Sequence, residues 1–203
     1  MIVGRVDEVD GHFVATRFVA LAVPTECLYV PNKGGGARAT KSGGSEGVRI
    51  QTDWRSVGLA YARVWLPIVA VALPIAEGLF DRVHAPTVLL SLVLIGVSVL
   101  AHRSGRLSEK EKARLRVLGT VTGLRIDPSK LQPNMREVKR ASLGDLMEKG
   151  GIPTTPADIL SVLDDIPGPA LPLVYGYACY AGDDPEWRDC AAAVYQRYEL
   201  GEI

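Results

Sequence analysis

Between Val57 and Ala101 the chain carries two long apolar stretches separated by a short polar turn, Glu77 to His84. The first, Val57 to Ala76, has Arg63 near its start, and the second, Ala85 to Ala101, has no charge. A hydrocarbon core of ~30 Å needs about 20 helical residues at ~1.5 Å each. Val57–Ala76 meets that length and Val83–Ala101 nearly does. Paired apolar runs of this length suit a bilayer better than water. The expected fold class is therefore membrane α+β, a two-helix transmembrane hairpin with a small N-terminal antiparallel β segment and a C-terminal all-α domain. The expected boundaries are 1–53 for a β-rich segment with a glycine-rich loop at 33–47, 54–102 for the hairpin (about 57–79 and 83–101), and 103–203 for the helical domain. A buried helical hairpin in the core of a soluble protein stays open, because the second run is 17 residues without its flanks.

Charge distribution says more than the total. The chain has 203 residues with 23 basic and 23 acidic side chains, so net charge argues for neither a nucleic-acid nor an acidic partner. Eight basic residues run from Arg5 through Arg63, and six more (Arg103, Arg106, Lys110, Lys112, Arg114 and Arg116) follow the second stretch. The turn holds only Arg82, beside Glu77 and Asp81. By the positive-inside rule both termini face the cytoplasm and the turn faces out, which predicts a multi-pass protein of the cytoplasmic (inner) membrane. Glu109 and Glu111 also make 103–116 readable as a solvated helix face. No basic n-region opens the chain, so insertion is expected to rely on the spans themselves.

Arg63 is expected to snorkel to the headgroups, with Trp54, Tyr61 and Trp65 as interfacial aromatics. Pro67 and Pro74 lie seven apart on one face of the first span. Interior prolines are tolerated in membranes, where neighbouring helices satisfy the freed carbonyls, and a gating role for them stays open. Gly58 with Ala62 and Ala72 with Ala76 form small-xxx-small pairs that permit close helix approach.

Before the hairpin, residues 2–9 and 12–20 flank Asp10-Gly11, which suits a type I′ turn. Further short runs, Glu26 to Val30 and Val48 to Thr52, predict a sheet of three or four strands too small to stand alone. The loop 33–47 could wrap an anion in backbone N–H groups, but Thr40 rather than Gly precedes Lys41-Ser42, so a flexible connection is expected. After the hairpin, Ser108 with Glu111 predicts a capping box for a helix from Glu109 to near Gly119. Leu131 to Lys149 predicts one or two helices stopped at Gly150-Gly151, and Thr155-Pro156 opens another to about Leu163. Leu171 to Ala181 and a helix from Asp184-Pro185 form a terminal hairpin, the latter presenting Trp187, Ala191, Val194, Tyr195 and Tyr198 on one face. The tyrosines and tryptophan there are expected to pack core and rim, with a peptide groove as the alternative.

Catalytic patterns are not evident. Cys27, Cys179 and Cys190 lack CxxC spacing and are expected as reduced thiols. His12, His84 and His102 are scattered and expected in solvated loops without a metal. Asp164-Asp165 and Asp183-Asp184 are expected to terminate and cap helices rather than perform acid–base work. No catalytic, cofactor-binding or metal-ligating residue is assigned, no cofactor is expected, and an enzyme is disfavoured without being excluded. The expected role is a non-catalytic integral membrane anchor, scaffold or accessory subunit. Its partners would be the lipid bilayer, and other proteins or further copies met through the hairpin and the C-terminal helices. The alternative is an oligomeric channel or transport component with a proline-kinked first span.

Overall fold

The computed structural model describes residues 2–19, 23–30, 47–80, 84–104 and 106–201. Most of the glycine-rich loop (33–46), Asp81 and Arg82 lie outside these, and so do the expectations placed on them. The chain forms two compact units, Met1–Leu107 and Ser108–Ile203.

In the first unit, strands β1 (Ile2–Val9), β2 (His12–Val19), β3 (Val23–Val30) and β4 (Val48–Ile50) make an antiparallel sheet in chain order. Asp10 and Gly11 have φ of 48° and 82°, the two positive values a type I′ turn requires. β3 begins three residues before the expected Glu26 in spite of Pro24, because Pro24 lies opposite Phe18 where the register shifts. Proline is tolerated in a sheet at such bulges. Further shifts interrupt the β1–β2 ladder on both sides of Val6, and Asp7 takes a φ of 54° there. Bulges bend and twist a sheet. Consecutive residues Phe13 to Thr16 on β2 and Cys27 to Tyr29 on β3 are buried, so both faces of these central strands are covered.

Helix α1 (Trp54–Phe80) packs on β1 and β2, and pairs with α2 (Ala85–Arg103). It starts three residues before the apolar run because Asp53 caps it, its Oδ1 accepting from the backbone N–H of Arg55 (3.0 Å) and Ser56 (3.4 Å). A buried hydrogen bond between Thr16 Oγ1 and Ser56 Oγ (2.8 Å) ties that first turn to β2. Both helices are long and apolar enough to cross a membrane. Only 11% and 17% of their most apolar 18-residue windows is buried.

The second unit is helical: α3 (Glu109–Thr122), α4 (Pro133–Lys149), α5 (Pro156–Ser161), α6 (Leu171–Ala181) and α7 (Pro185–Gly201), with short 3-10 turns between. The Ser108–Glu111 capping box is formed in both directions. α3 runs past Gly119 to end at Gly123, whose φ of 72° makes a left-handed C-cap with its N–H on the Gly119 carbonyl. α5 stops at Ser161, short of the expected Leu163, and the chain continues as a 3-10 turn, Leu163–Asp165. Apolar α6 lies at the centre, packed by α3, α4 and α7. Its Val174, Tyr175, Ala178 and Tyr180 are buried, as are Leu143 and Met147 of α4 and Cys190, Ala191 and Val194 of α7. Trp187 and Tyr195 form the rim: Trp187 meets Tyr177 edge-on at 5.6 Å, and Tyr195 tilts against Tyr175 at 5.2 Å.

Candidate functional site

The exposed apolar hairpin is the first unit's most distinctive surface. Where its helices meet, the buried side chains are small: Ala70 from α1 and Ser91, Ser98 and Ala101 from α2. Small residues let helix backbones approach closely, and the large aliphatic side chains are left to point away. Ile68, Val71, Ile75 and Leu79 of α1 are exposed, as are Leu89, Leu92, Val93 and Leu100 of α2. The small-xxx-small pairs read from the sequence are not the ones used within the chain. Gly58 is exposed and nothing lies within 4 Å of where a Cβ would stand, while Ala72 and Ala76 face outward. Contact with the sheet and with α2 selects the face through Ser56, Ala60, Arg63 and Ala70, and those pairs lie off it.

Arg63 reaches towards the sheet end of the hairpin and is held there by the protein's own backbone. Its guanidinium is a fork on three backbone carbonyls: Nε donates to Ala101 (2.9 Å), Nη2 to Ser104 (2.8 Å) and Nη1 to Arg5 (2.9 Å). The last carbonyls of a helix have no intrahelical donor and carry its partial negative charge. A cation at the end of α2 satisfies both demands and joins α1, α2 and β1 at one point.

At the turn end, His84 Nδ1 lies 2.6 Å from Glu77 Oε1, and the His84 backbone N–H donates to Glu77 Oε2 (3.2 Å). His84 is therefore not a free loop histidine but closes the hairpin onto α1. His12 is also engaged, with Nδ1 2.8 Å from the Tyr29 hydroxyl and the rings stacked. The Nδ1–H of His102 donates to the Ser98 carbonyl (2.9 Å), one helical turn back.

Among the described residues, concave surfaces flank the hairpin at two places. One, a 630 Å³ groove along α1, is lined by Pro67, Ile68, Val71, Ala72, Ile75, Ala76 and Leu79 and is aliphatic throughout. The other, of 440 Å³, lies at the sheet end, with Pro67, Ile95, Ser98 and Val99 as wall and His102, Arg103 and Arg106 as rim. α1 continues through both prolines; Pro67 borders both surfaces and Pro74 neither.

In the second unit arginines hold the ends of elements. Arg136 forks the Asp183 carboxylate (2.7 and 3.1 Å) and donates through Nε to the Tyr180 carbonyl, near the end of α6 (3.2 Å). The Arg136 hydrogen bond holds the Asp183 carboxyl below its ordinary range. Arg197 likewise takes Asp164 Oδ1 (2.6 Å) and its carbonyl (2.7 Å). One carboxylate of each adjacent pair is thus spent on an arginine, beyond the capping and termination read from the sequence. Arg114 Nε donates to the buried Tyr175 hydroxyl (2.9 Å), whose ionisation burial pushes up. Burial also pushes the Cys179 and Cys190 thiols up to about 11, so both stay protonated at neutral pH. Among the described residues no group of three or more His, Cys, Asp or Glu is placed to hold a metal ion. Comparison with protein-family models, with curated proteins and with solved structures finds no match to this chain.

Proposed function

We propose that this chain is an integral membrane protein whose hairpin crosses the bilayer, and that its work is to anchor or scaffold a membrane complex. What carries the reading is the outward aliphatic surface of α1 and α2. Leu79, Leu89 and Leu100 are 78%, 64% and 64% exposed, a cost in water that hydrocarbon removes. The polar features sit at the two ends of the rods: Glu77 with His84 at the turn, and Arg63, His102, Arg103 and Arg106 at the sheet end. That spacing suits two interfaces with an apolar layer between. The heavier basic charge at the sheet end favours that end in the cytoplasm, with both termini on that side of the inner membrane.

Partners would be proteins, or further copies, met through the hairpin and the C-terminal helices. The transport alternative has a proline-lined groove to point to, but that groove is aliphatic along its length, which favours contact with lipid or another helix over a water-filled path. Alkaline carbonate extraction of membranes from cells expressing the chain tests the reading. The chain is expected in the pellet; release into the supernatant would refute the membrane assignment.

A further inference from the structure

We infer that the 440 Å³ cavity at the sheet end of the hairpin is a binding site for an anionic phospholipid; the inference rests on the membrane reading above. Its wall is mostly apolar, formed by Pro67, Ile95 and Val99 with Ser98 beside them, and its rim carries His102, Arg103 and Arg106 with no carboxylate. Neither Arg103 nor Arg106 has an ion pair among the described residues. His102 spends Nδ1 on Ser98, which leaves Nε2 as the ring's other polar atom. The end of a helix is ordinarily a poor place for an anion, because its carbonyls are negative. Arg63 satisfies the carbonyls of Ala101 and Ser104, so the rim's positive charge is not consumed by its own helix.

Two arginines beside an apolar wall match a phosphodiester with an acyl chain running from it, since guanidinium forks bind phosphate in two-point fashion. At about 30 Å³ per water, 440 Å³ is roughly fifteen water volumes, room for a headgroup and the start of a chain. The wall continues onto the exposed aliphatic surface of α2, so the rest of the lipid would lie among its neighbours in the bilayer. Basic pockets between spans on the cytoplasmic side are where anionic headgroups are held. A peptide or a free anion would meet the same rim, but neither explains the apolar wall opening towards hydrocarbon.

The test is lipid retention by the full chain, taken from nanodiscs of equimolar dioleoylphosphatidylglycerol and dioleoylphosphatidylcholine into mild detergent and weighed by native mass spectrometry. Phosphatidylglycerol is expected to be retained about fivefold or more over phosphatidylcholine. R103Q/R106Q is expected to bring the ratio to about one. I95W, which keeps every charge but fills the wall, is expected to do the same. R49Q/R55Q removes the same charge from first-unit residues that do not line the cavity and is expected to keep the preference. Equal retention by the unaltered chain, an unchanged ratio in I95W, or an equal loss in R49Q/R55Q would overturn the site. So would displacement of phosphatidylglycerol by millimolar inorganic phosphate, which would mark a free-anion site. A chain that never enters the nanodisc fails the membrane reading instead, and carbonate extraction reports that separately.

Discussion

Arg63 does at one residue what several weaker contacts would otherwise have to do. Removing it as R63A strands the carbonyls of Ala101, Ser104 and Arg5 near an apolar interface. Hydrogen bonds to charged groups contribute about 1.5–3 kcal/mol each, and solvent access at this end brings the expected loss for R63A to about 2 kcal/mol. R63K should recover less than half, because an ammonium cannot reproduce the three-way fork. Thermal denaturation in a mild detergent, read as the shift in Tm, checks both. Gly123 is a second residue with a definite physical task. Its φ of 72° ends α3, and nothing lies within 4 Å of a Cβ there, so G123A is penalised by backbone strain alone. A loss of about 1 kcal/mol is expected. Gly168 is equally open and has no positive φ, so G168A should stay within about 0.5 kcal/mol, and chemical denaturation of both variants beside the unaltered chain checks the contrast.

At the scale of elements, the Arg136–Asp183 pair joins α4 to the connection between α6 and α7. Asp183 ionises more readily in the folded chain than in the unfolded one, because Arg136 stabilises its carboxylate. The pair therefore contributes fully above the ordinary aspartate value of about 3.9 and is lost as pH falls through the lower folded value. The Asp183 side chain is 64% exposed, and screening limits the contribution to about 1 kcal/mol or less. Denaturation midpoints between about pH 6 and pH 3 should fall more steeply for the natural chain than for D183N. Where an element's ends depended on local chemistry, the sequence foretold them: the type I′ turn at Asp10-Gly11, the Ser108–Glu111 box, and Leu171–Ala181 as a helix. Asp53 is a cap of the same kind, legible in principle but masked by the apolar run that follows it. The Arg63 fork, the His84–Glu77 contact and the basic-rimmed cavity depend on which face α1 turns to α2. Spacing within one helix does not decide that. The Gly58–Ala62 pattern is as good on paper as Ala70 with Ser91, Ser98 and Ala101, and only packing chooses between them.

For the whole molecule, the decisive quantity is what touches the outside of the two rods. A soluble chain of this size gains its stability by hiding its largest aliphatic side chains, and here Leu92 and Ile75 are 60% and 57% exposed. Small residues (Ala70, Ser91, Ser98 and Ala101) are buried while these large ones stay outside, an inversion that makes sense when the solvent is hydrocarbon. Oxygen concentrates in hydrocarbon and a polar nickel chelate stays in water, so a nitroxide reports directly which of the two surrounds it. Nitroxides placed at Leu92 and Ile75, with one at exposed Glu137 of α4 for reference, should be measured in the full chain reconstituted into phosphatidylcholine–phosphatidylglycerol vesicles. Oxygen is expected to relax the labels at Leu92 and Ile75 more strongly than the chelate, with the order reversed at Glu137. A chelate that reaches Leu92 and Ile75 as readily as it reaches Glu137 would contradict a hairpin in the bilayer.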